Sequence, residues 1–478
     1  MHRIDTDVAV IGAGTAGLAA HRAAKAQGKR AVLIERGTHG TTCARVGCMP
    51  SKLLIAAADA AHALLKFPAF GLAIDGPVRV DGRAVMARVK RERDRFVGFV
   101  TDGVDMLAPE ERLRGAARFV DDHTLQLDDH TTVNAGAIVI ATGSSPAFPA
   151  MWRELGDRLV VNDDVFEWDD LPESVAVFGP GVIGLELGQA LHRLGVRVTV
   201  FGRGGGVGPL RDPQLIAEAR RVLGAELPLD TDARAEVARD GDHVVVTLRN
   251  ADGSTRDTRY AYALAATGRR PNLAGLDLES TSLELNAAGI PRFDRATLRC
   301  GESSIFIAGD VNDDVPLLHE AADEGRIAGE NAARFPDVRE APRRAGLAIV
   351  FTDPEIAIVG GGFDAVRNVP HVSGQVSFDN QGRARIMLNN RGRLHVYAEP
   401  SRGRFLAAEM LGPAAEHIGH LLAWARQQDL TIAQMLAMPF YHPVIEEGLR
   451  TALRDARAKL DTGDVAPAGA ARIEALMT

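Results

Sequence analysis

One pattern occurs twice in this chain and restricts its fold more than any other feature. An apolar run of strand length, Asp7-Val-Ala-Val-Ile-Gly12, leads into Gly12-Ala-Gly14-Thr-Ala-Gly17 and an Ala-rich stretch of helical period that stops at Gly28. A second apolar run, Ala31-Val-Leu-Ile-Glu35, closes a βαβ unit over residues 7–35. About 170 residues later the order recurs: strand Ser174–Phe178, Gly179-Pro-Gly181-Val-Ile-Gly184, helix Gly181–Leu194 stopped by Gly195, strand Val196–Phe201. Two Ala-Thr-Gly turns, ending at Gly143 and Gly268, terminate apolar strands in the two halves and extend the repeat. Strands that alternate with helices in this way predict α/β architecture with two Rossmann-like, mostly parallel sheets.

The glycine spacing has a physical use. The first glycine allows a tight turn, the second lets the backbone approach a pyrophosphate, and the third admits close helix–sheet packing. The phosphate charge then lies at a helix N-terminus, where free N–H groups favour it. Glu35 ends the next strand of the first unit, where a carboxylate can bind ribose hydroxyls. The second unit ends instead in Gly202, followed by Arg203. A cation there suits a 2′-phosphate, or is simply a solvent-facing Arg in the Gly-rich loop Gly204–Gly206.

Composition removes several function classes. The 478 residues carry 55 Lys+Arg against 63 Asp+Glu, a net charge of −8 that offers no general cationic surface to nucleic acid. Three cysteines cannot make a disulfide scaffold, and no Cys/His cluster suggests structural zinc or another metal site. Val8–Ile11 is too short for a signal-peptide core, and no run is expected to reach the length of a membrane span. A soluble, cytoplasmic protein is therefore expected, where a close cysteine pair is redox or metal chemistry rather than a staple.

Cys43-Ala-Arg-Val-Gly-Cys48-Met-Pro-Ser-Lys52 is such a pair. Gly47 permits the bend that would bring the sulfurs together, and Pro50 suits the first turn of a helix that begins near Cys48. That position, with Arg45 or Lys52 nearby, would lower a thiol pKa; the alternative is two unconnected buried thiols. Cys300 has no partner at useful spacing and reads as packing. Asp310 ends Ile305-Phe-Ile-Ala-Gly-Asp310, where its carboxylate holds a hydroxylated chain or caps a turn. His442 and Glu447 are spaced as an oriented imidazole or as ordinary surface neighbours. The mixed run Lys90–Arg95 reads as a solvated helix face, Phe335–Arg344 as a linker, and the Ala/Gly/Pro-rich end as a loose tail.

In this order the motifs resemble the flavin-dependent pyridine nucleotide–disulfide oxidoreductases, with the dihydrolipoyl dehydrogenase branch nearest. The resemblance runs from Asp7 to about Arg457. It implies an FAD-binding domain in residues 1–150, resumed in 271–345, an NAD(P)-binding domain in 151–270, an α+β dimerisation domain in 346–460, and a tail in 461–478. It assigns Gly12, Gly14, Gly17, Glu35, Thr42, Lys52, Gly115, Thr142, Gly143, Asp310 and Leu318 to FAD. To the nicotinamide nucleotide, NAD or NADP, it assigns Gly179, Gly181, Gly184 and Gly268, with Arg203 as the candidate phosphate contact. Lys52 and Glu186 pair beside the flavin, Cys48 is the sulfur next to it, and Cys43 is the outer sulfur that exchanges with substrate. His442, oriented by Glu447, handles the proton from the other subunit of a homodimer with shared active sites. The implied activity passes electrons between dihydrolipoamide, the Cys43–Cys48 pair, FAD and NAD(P), with a lipoyl domain of a 2-oxo acid dehydrogenase complex as a candidate partner. The alternatives are an NADPH-dependent reductase of another small disulfide and a non-catalytic flavoprotein assembly component. Intact Cys43, Cys48, Lys52, Glu186, His442 and Glu447 argue against the last. Four departures from the family pattern stand out: Thr41 in Gly40-Thr-Thr-Cys43, Arg45 between the cysteines, Gly202, and Tyr441 before the histidine. No second cysteine pair lies near the C-terminus, which counts against mercuric reductase and the large thioredoxin reductases.

Overall fold

The structure, a computed structural model, describes residues 2–250 and 252–469. Strand β1 (His2–Ile11), helix α1 (Thr15–Ala26) and strand β2 (Ala31–Glu35) form the first unit, with β1 and β2 parallel from Val8 opposite Ala31 to Ile11 opposite Ile34. The chain then makes a short helix α2 (Thr42–Val46) and the longer α3 (Cys48–Ala63). After a long outer helix, Gly82–Asp105, strand β3 (Thr131–Ile140) returns on the other side of β1, parallel to it, and ends in the first Ala-Thr-Gly turn.

The second sheet repeats this plan. Strand β4 (Ser174–Phe178), helix α4 (Val182–Arg193) and strand β5 (Arg197–Phe201) are followed by helix α5 (Pro213–Gly224). Strand β6 (Tyr262–Ala265) then lies parallel to β4 on the side away from β5. Each sheet core is a continuous apolar run: Val8–Val10 in β1 and Val175–Val177 in β4 are all fully buried. Beyond the second sheet, strand β7 (Ile305–Ile307) pairs with β3, Ile305 opposite Ile138, so the chain re-enters the first sheet. Helix α6 (Leu318–Arg334) then crosses α1, and the crossing is close because Gly325 and Gly329 face the backbone of Ala16 and Ala20. A side chain at either glycine would collide with that backbone.

The last third is a five-stranded antiparallel sheet over Leu347–Gly412, covered by the helices Ala415–Gln427 and Glu447–Thr462. Its joint with the second unit combines an apolar cluster, in which Leu210 and Leu215 meet Ile356 and Leu411, with a buried polar group. Asp212 caps α5 and accepts from Tyr397 Oη at 2.7 Å, with His395 Nδ1 at 2.8 Å, while Glu409 accepts the N–H groups of Arg211 and Asp212 at 3.0 Å.

Four expectations change. The stretch Thr42–Phe70 is long and apolar enough to cross a membrane by length and composition. It is broken at Gly47, however, and spends its charges on ion pairs: Lys52 with Glu186 and Asp59 with Arg193. The run Lys90–Arg95 is not wholly solvated, since Lys90 reaches Asp169 at 2.6 Å and Arg93, with a side chain 12% exposed, pairs with Glu167. The linker is pinned: Arg343 holds Glu320 and Glu324, and Asn331 accepts from the Arg339 N–H at 3.0 Å. The tail is not loose up to Gly469, because Ala466 forms a β-bridge with His371 and the Gly469 N–H donates to the Arg367 carbonyl at 2.7 Å. Residues 470–478 of that tail lie outside the described residues.

Candidate active site and dinucleotide sites

Gly12 and Gly179 turn at φ 106° and 110°, helices α1 and α4 start from extended caps at Gly14 and Gly181, and both have twelve residues. Side chains at Gly17 and Gly184 would collide with the carbonyl oxygens of Gly12 and Gly179, so each helix lies directly against its turn. Side chains at Gly14 and Gly181 would meet nothing within 4 Å. That is the face from which a phosphate approaches the helix N-terminus.

The remaining first-unit residues gather around that turn. Glu35 Oε2 accepts the Ala13 N–H at 2.8 Å, and Oε1 accepts the Gly37 N–H at 2.6 Å. Gly115, at φ 148°, donates its N–H to the Glu35 carbonyl at 3.2 Å and lines one pocket with Gly12, Glu35 and Thr142. Gly309 packs so closely on α1 that its Cβ would stand 2.9 Å from that of Ala16, which brings Asp310 to the same helix end. Asp310 accepts from Ser144 Oγ at 2.8 Å. Leu318 begins α6 and is exposed, and Thr42 begins α2, also exposed. Gly143 and Gly268 both take positive φ, and the two turns meet, with the Ala147 N–H donating to the Gly268 carbonyl at 2.9 Å. Two supports carried no local signal. Asn272 bonds both the Thr142 hydroxyl and carbonyl groups, and buried Glu324 accepts from the Gly309 N–H and Asn312 at 2.7 Å.

The cysteine motif folds as two helices meeting at Gly47. Thr41 takes φ 57°, ψ 152°, a conformation that costs a β-branched residue about 1–3 kcal/mol. Its hydroxyl offsets part of that cost by capping α2, accepting the Ala44 N–H at 3.2 Å, a contact that glycine could not make. Cys48 is the first residue of α3, with Pro50 in the first turn. The structure holds Cys43 and Cys48 as two thiols, Cys43 half-buried and Cys48 exposed. The hydrogen bond from the Cys43 thiol brings Cys48 down to about 7 and, working against burial, the Lys52 ammonium assists. The same bond, with burial, drives the Cys43 thiol far up, so the ionisation of the pair near neutral pH belongs to Cys48. Arg45 takes no part; it donates to the Thr38 carbonyl at 3.4 Å. Cys300, buried in the core, is pushed up to about 12 by burial.

One turn along α3, Lys52 Nζ meets Glu186 Oε2 of α4 at 2.6 Å. Glu186 Oε1 accepts the Phe351 N–H at 2.9 Å, and the Phe351 ring lies 4.6 Å from Lys52 Nζ. Phe351 is the residue that sequence reasoning missed here, because its contact depends on the third domain closing onto α3. His442 Nδ1 lies 2.9 Å from Glu447 Oε2, and Arg450 holds the other oxygen at 2.8 Å. Burial pushes the Glu447 carboxyl up, but hydrogen bonds from His442 and the Val444 N–H outweigh it and hold it below its ordinary value. Among the described residues no hydrogen bond or ion pair joins this dyad to Cys43 or Cys48, and the His442 side chain is 80% exposed. Among the described residues no group of three or more His, Cys, Asp or Glu side chains is placed to hold a metal ion.

The chain matches two family models: the pyridine nucleotide-disulphide oxidoreductase domain over residues 6–325, and the dimerisation domain of the same proteins over residues 347–453. It belongs to the pyridine nucleotide–disulfide oxidoreductases. It is 32% identical to a mercuric reductase of Acidithiobacillus ferrooxidans over 93% of this chain and 81% of that one. It is 31% identical to a dihydrolipoyl dehydrogenase of Haloferax volcanii over 94% and 96%. Among solved structures it superposes on the copper(II) complex of the HOCl-induced flavoprotein disulfide reductase RclA from Escherichia coli, with TM-score 0.77 and 21% identity, covering 94% of this chain and 99% of that one. This likeness shows the shared fold. Pyridine nucleotide–disulfide oxidoreductases use FAD and NAD(P)H. The first unit fits FAD: unhindered N–H groups at α1 for the diphosphate, Glu35 for a ribose diol, and Asp310 for a polyol chain.

Proposed function

We propose that the protein is a homodimeric dithiol–disulfide oxidoreductase that couples a small organic dithiol–disulfide pair to NAD(P). The dihydrolipoyl group, free or on a lipoyl domain, is the first substrate of this reading, and a reducing, cytoplasmic setting suits it. The observation that carries the reading is the Cys43–Cys48 pair, one sulfur ionising near neutral pH and the other held as a thiol, at the head of the helix whose Lys52 is locked to Glu186. The His442–Glu447 dyad supports an organic substrate, since a dithiol must lose two protons as it is oxidised. Exposed His442 and the exposed apolar side chains Leu65, Phe70, Met387 and Trp424 support a dimer in which the dyad of one subunit serves the cysteines of the other.

In the oxidising direction one substrate sulfur attacks Cys43 of the Cys43–Cys48 disulfide, and Cys48 leaves as a thiolate that Lys52 stabilises. The second substrate sulfur displaces Cys43 and closes the substrate disulfide, leaving two electrons on the protein pair. His442 accepts the proton of the first attacking thiol and releases it to solvent, then accepts that of the second and returns it to Cys43, and Glu447 stabilises the imidazolium in each case. Bound FAD supplies the relay that passes the electron pair on to the nicotinamide. A second reading, NADPH-driven reduction of another small disulfide, is supported by Gly202 and by Tyr441, which is 79% exposed beside His442.

The test is turnover of dihydrolipoamide with NAD⁺ and NADP⁺, and of lipoamide, glutathione disulfide and Hg(II) with NADH and NADPH. Organic turnover is expected, with His442→Ala lowering it by roughly 10²–10⁴-fold while nucleotide-driven reduction of a one-electron dye survives. Turnover of Hg(II) alone would overturn the substrate class. Equal loss in both assays would make His442 structural.

A further inference from the structure

We propose that Pro180 sets the choice of nucleotide: its ring closes position 202 to any acid, and its missing N–H removes the donor that would hold one, which leaves Arg203 to receive a 2′-phosphate. This rests on the reading that the second unit binds the nicotinamide nucleotide, and deepens it by naming the phosphorylated form.

The two units can be aligned by their hydrogen bonds. The Gly12 N–H donates to the Ile34 carbonyl at 2.8 Å, and the Gly179 N–H donates to the Phe201 carbonyl at 2.8 Å. Gly202 therefore stands where Glu35 stands, and Pro180 stands where Ala13 stands. In the first unit the Ala13 N–H donates to the Glu35 carboxylate at 2.8 Å. In the second unit proline has no N–H to give. A Cβ at Gly202 would lie 2.6 Å from Pro180 Cγ, 2.9 Å from Cδ and 2.9 Å from the Thr231 carbonyl oxygen. Neither ring nor carbonyl can rotate away as the end of a flexible side chain could; the ring is the closer obstacle, and removing it leaves only the 2.9 Å contact with the carbonyl. While Pro180 remains, an acid at 202 is excluded on both steric and hydrogen-bonding grounds.

The acids on the neighbouring strand end do not replace it. Asp230 Oδ1 accepts the Asp232 N–H at 3.1 Å, and Asp232 Oδ1 accepts the Gly204 N–H at 2.9 Å, so both are turned into their own loop. Arg203 is exposed and makes no hydrogen bond or ion pair among the described residues. The loop that carries it is fixed, since the Gly205 N–H donates to the Thr231 carbonyl at 2.9 Å and Arg220 grips the Gly205 carbonyl. Arg211, the other cation of this segment, is committed to Asp364 at 3.4 Å. A 2′-phosphate would meet an unengaged guanidinium on a held backbone, with no carboxylate at position 202 and with Asp230 and Asp232 each holding a loop N–H.

The test is calorimetric titration of the FAD-loaded enzyme with 2′,5′-ADP and with 5′-AMP. Neither ligand carries nicotinamide, so the result does not depend on which disulfide is turned over. The wild type should bind 2′,5′-ADP about tenfold to a hundredfold more tightly than 5′-AMP, the worth of one charge-assisted contact. Arg203→Ala should erase that difference and leave 5′-AMP binding unchanged. Gly202→Glu alone should not tighten 5′-AMP, whereas Pro180→Ala/Gly202→Glu should tighten it about tenfold. Misfolding of the single variant relieved in the double variant would report the same clash. Preference of the wild type for 5′-AMP, equal weakening of both ligands by Arg203→Ala, or a gain from Gly202→Glu equal to that of the double variant would each overturn the proposal.

Discussion

At the first dinucleotide unit Gly17 leans on the Gly12 carbonyl, and at the second Gly184 leans on that of Gly179, with the same caps and the same helix length. The side chains placed on this common frame diverge. Where α1 has Ala19 and Ala26, α4 has Glu186 and Arg193 at the same offsets from their motifs. Glu186 reaches Lys52, and Arg193, with a side chain 2% exposed, binds Asp59, Glu226 and Asp353. The first helix also carries small residues, Ala16 and Ala20, where α6 lies against it. The second carries charges because it anchors both the cysteine helix and the third domain. The comparison teaches that the glycines specify a backbone, while the positions that differ between the copies show what each copy does. One unit ends its strand in Glu35, which holds the motif turn through the Ala13 N–H, and the other holds the cysteine helix through Glu186.

The largest effect should come from testing the shared frame. Gly17→Ala and Gly184→Ala each force a Cβ into a carbonyl oxygen that the sheet holds in place. Each should cost at least about 3 kcal/mol, at the upper end for overpacking, and show as lost soluble protein or a lower melting temperature. Gly17→Ala should also strip FAD, whereas Gly184→Ala should keep FAD and lose nucleotide binding. FAD lost only from the Gly184 variant would break the assignment of the two units. A smaller effect is expected from making the first unit resemble the second at its strand end. Glu35→Gly removes the carboxylate that accepts the Ala13 and Gly37 N–H groups, and FAD retention should fall about tenfold to a hundredfold with the fold intact. Flavin fluorescence released on dilution measures it, and unchanged retention would remove Glu35 from the cofactor site.

What was legible in the sequence follows the range of the interaction. The glycine motifs, the cysteine spacing and the Gly-Asp turn announce themselves because a few adjacent residues must satisfy a local backbone demand. Strand β4 was read with its observed bounds for that reason, and α4 to within one residue at either end. Phe351, Asn272 and Glu324 were not legible, since each acts across more than a hundred residues or from the buried face of a helix with no local constraint. Pro180 shows the same limit within a motif. It satisfies the glycine pattern as well as alanine does, and its consequence for Gly202 appears only when the strand end is placed beside it. The stretch Thr42–Phe70 is longer and more apolar than expected, and only its ion pairs to α4, through Lys52 and Asp59, show why a helix of that composition is seated on the second unit.

The smallest effect tests how the second unit acts on the first unit's thiols. Cys48 titrates near 7 because the Cys43 thiol donates to it and Lys52 lies close, while burial and the negative charge of Glu186 oppose. Removing a stabilising group should therefore raise the pH at which alkylation of Cys48 reaches half its maximal rate, and removing Glu186 should lower it. In the reduced enzyme the wild-type midpoint is expected at about 7, from iodoacetamide labelling read by mass spectrometry. Cys43→Ala should move it upward most, since its hydrogen bond is the largest cause, and Lys52→Met should move it up by about 1 pH unit. At pH 7 both variants then hold less thiolate and react more slowly. Glu186→Gln should shift the midpoint downward, by less than Lys52→Met shifts it up, because Glu186 is the weaker influence on the sulfur. An upward shift in Glu186→Gln would mean that Glu186 matters chiefly by positioning Lys52, and that the acid α4 carries in place of Ala19 is a clamp rather than a charge acting on the cysteine.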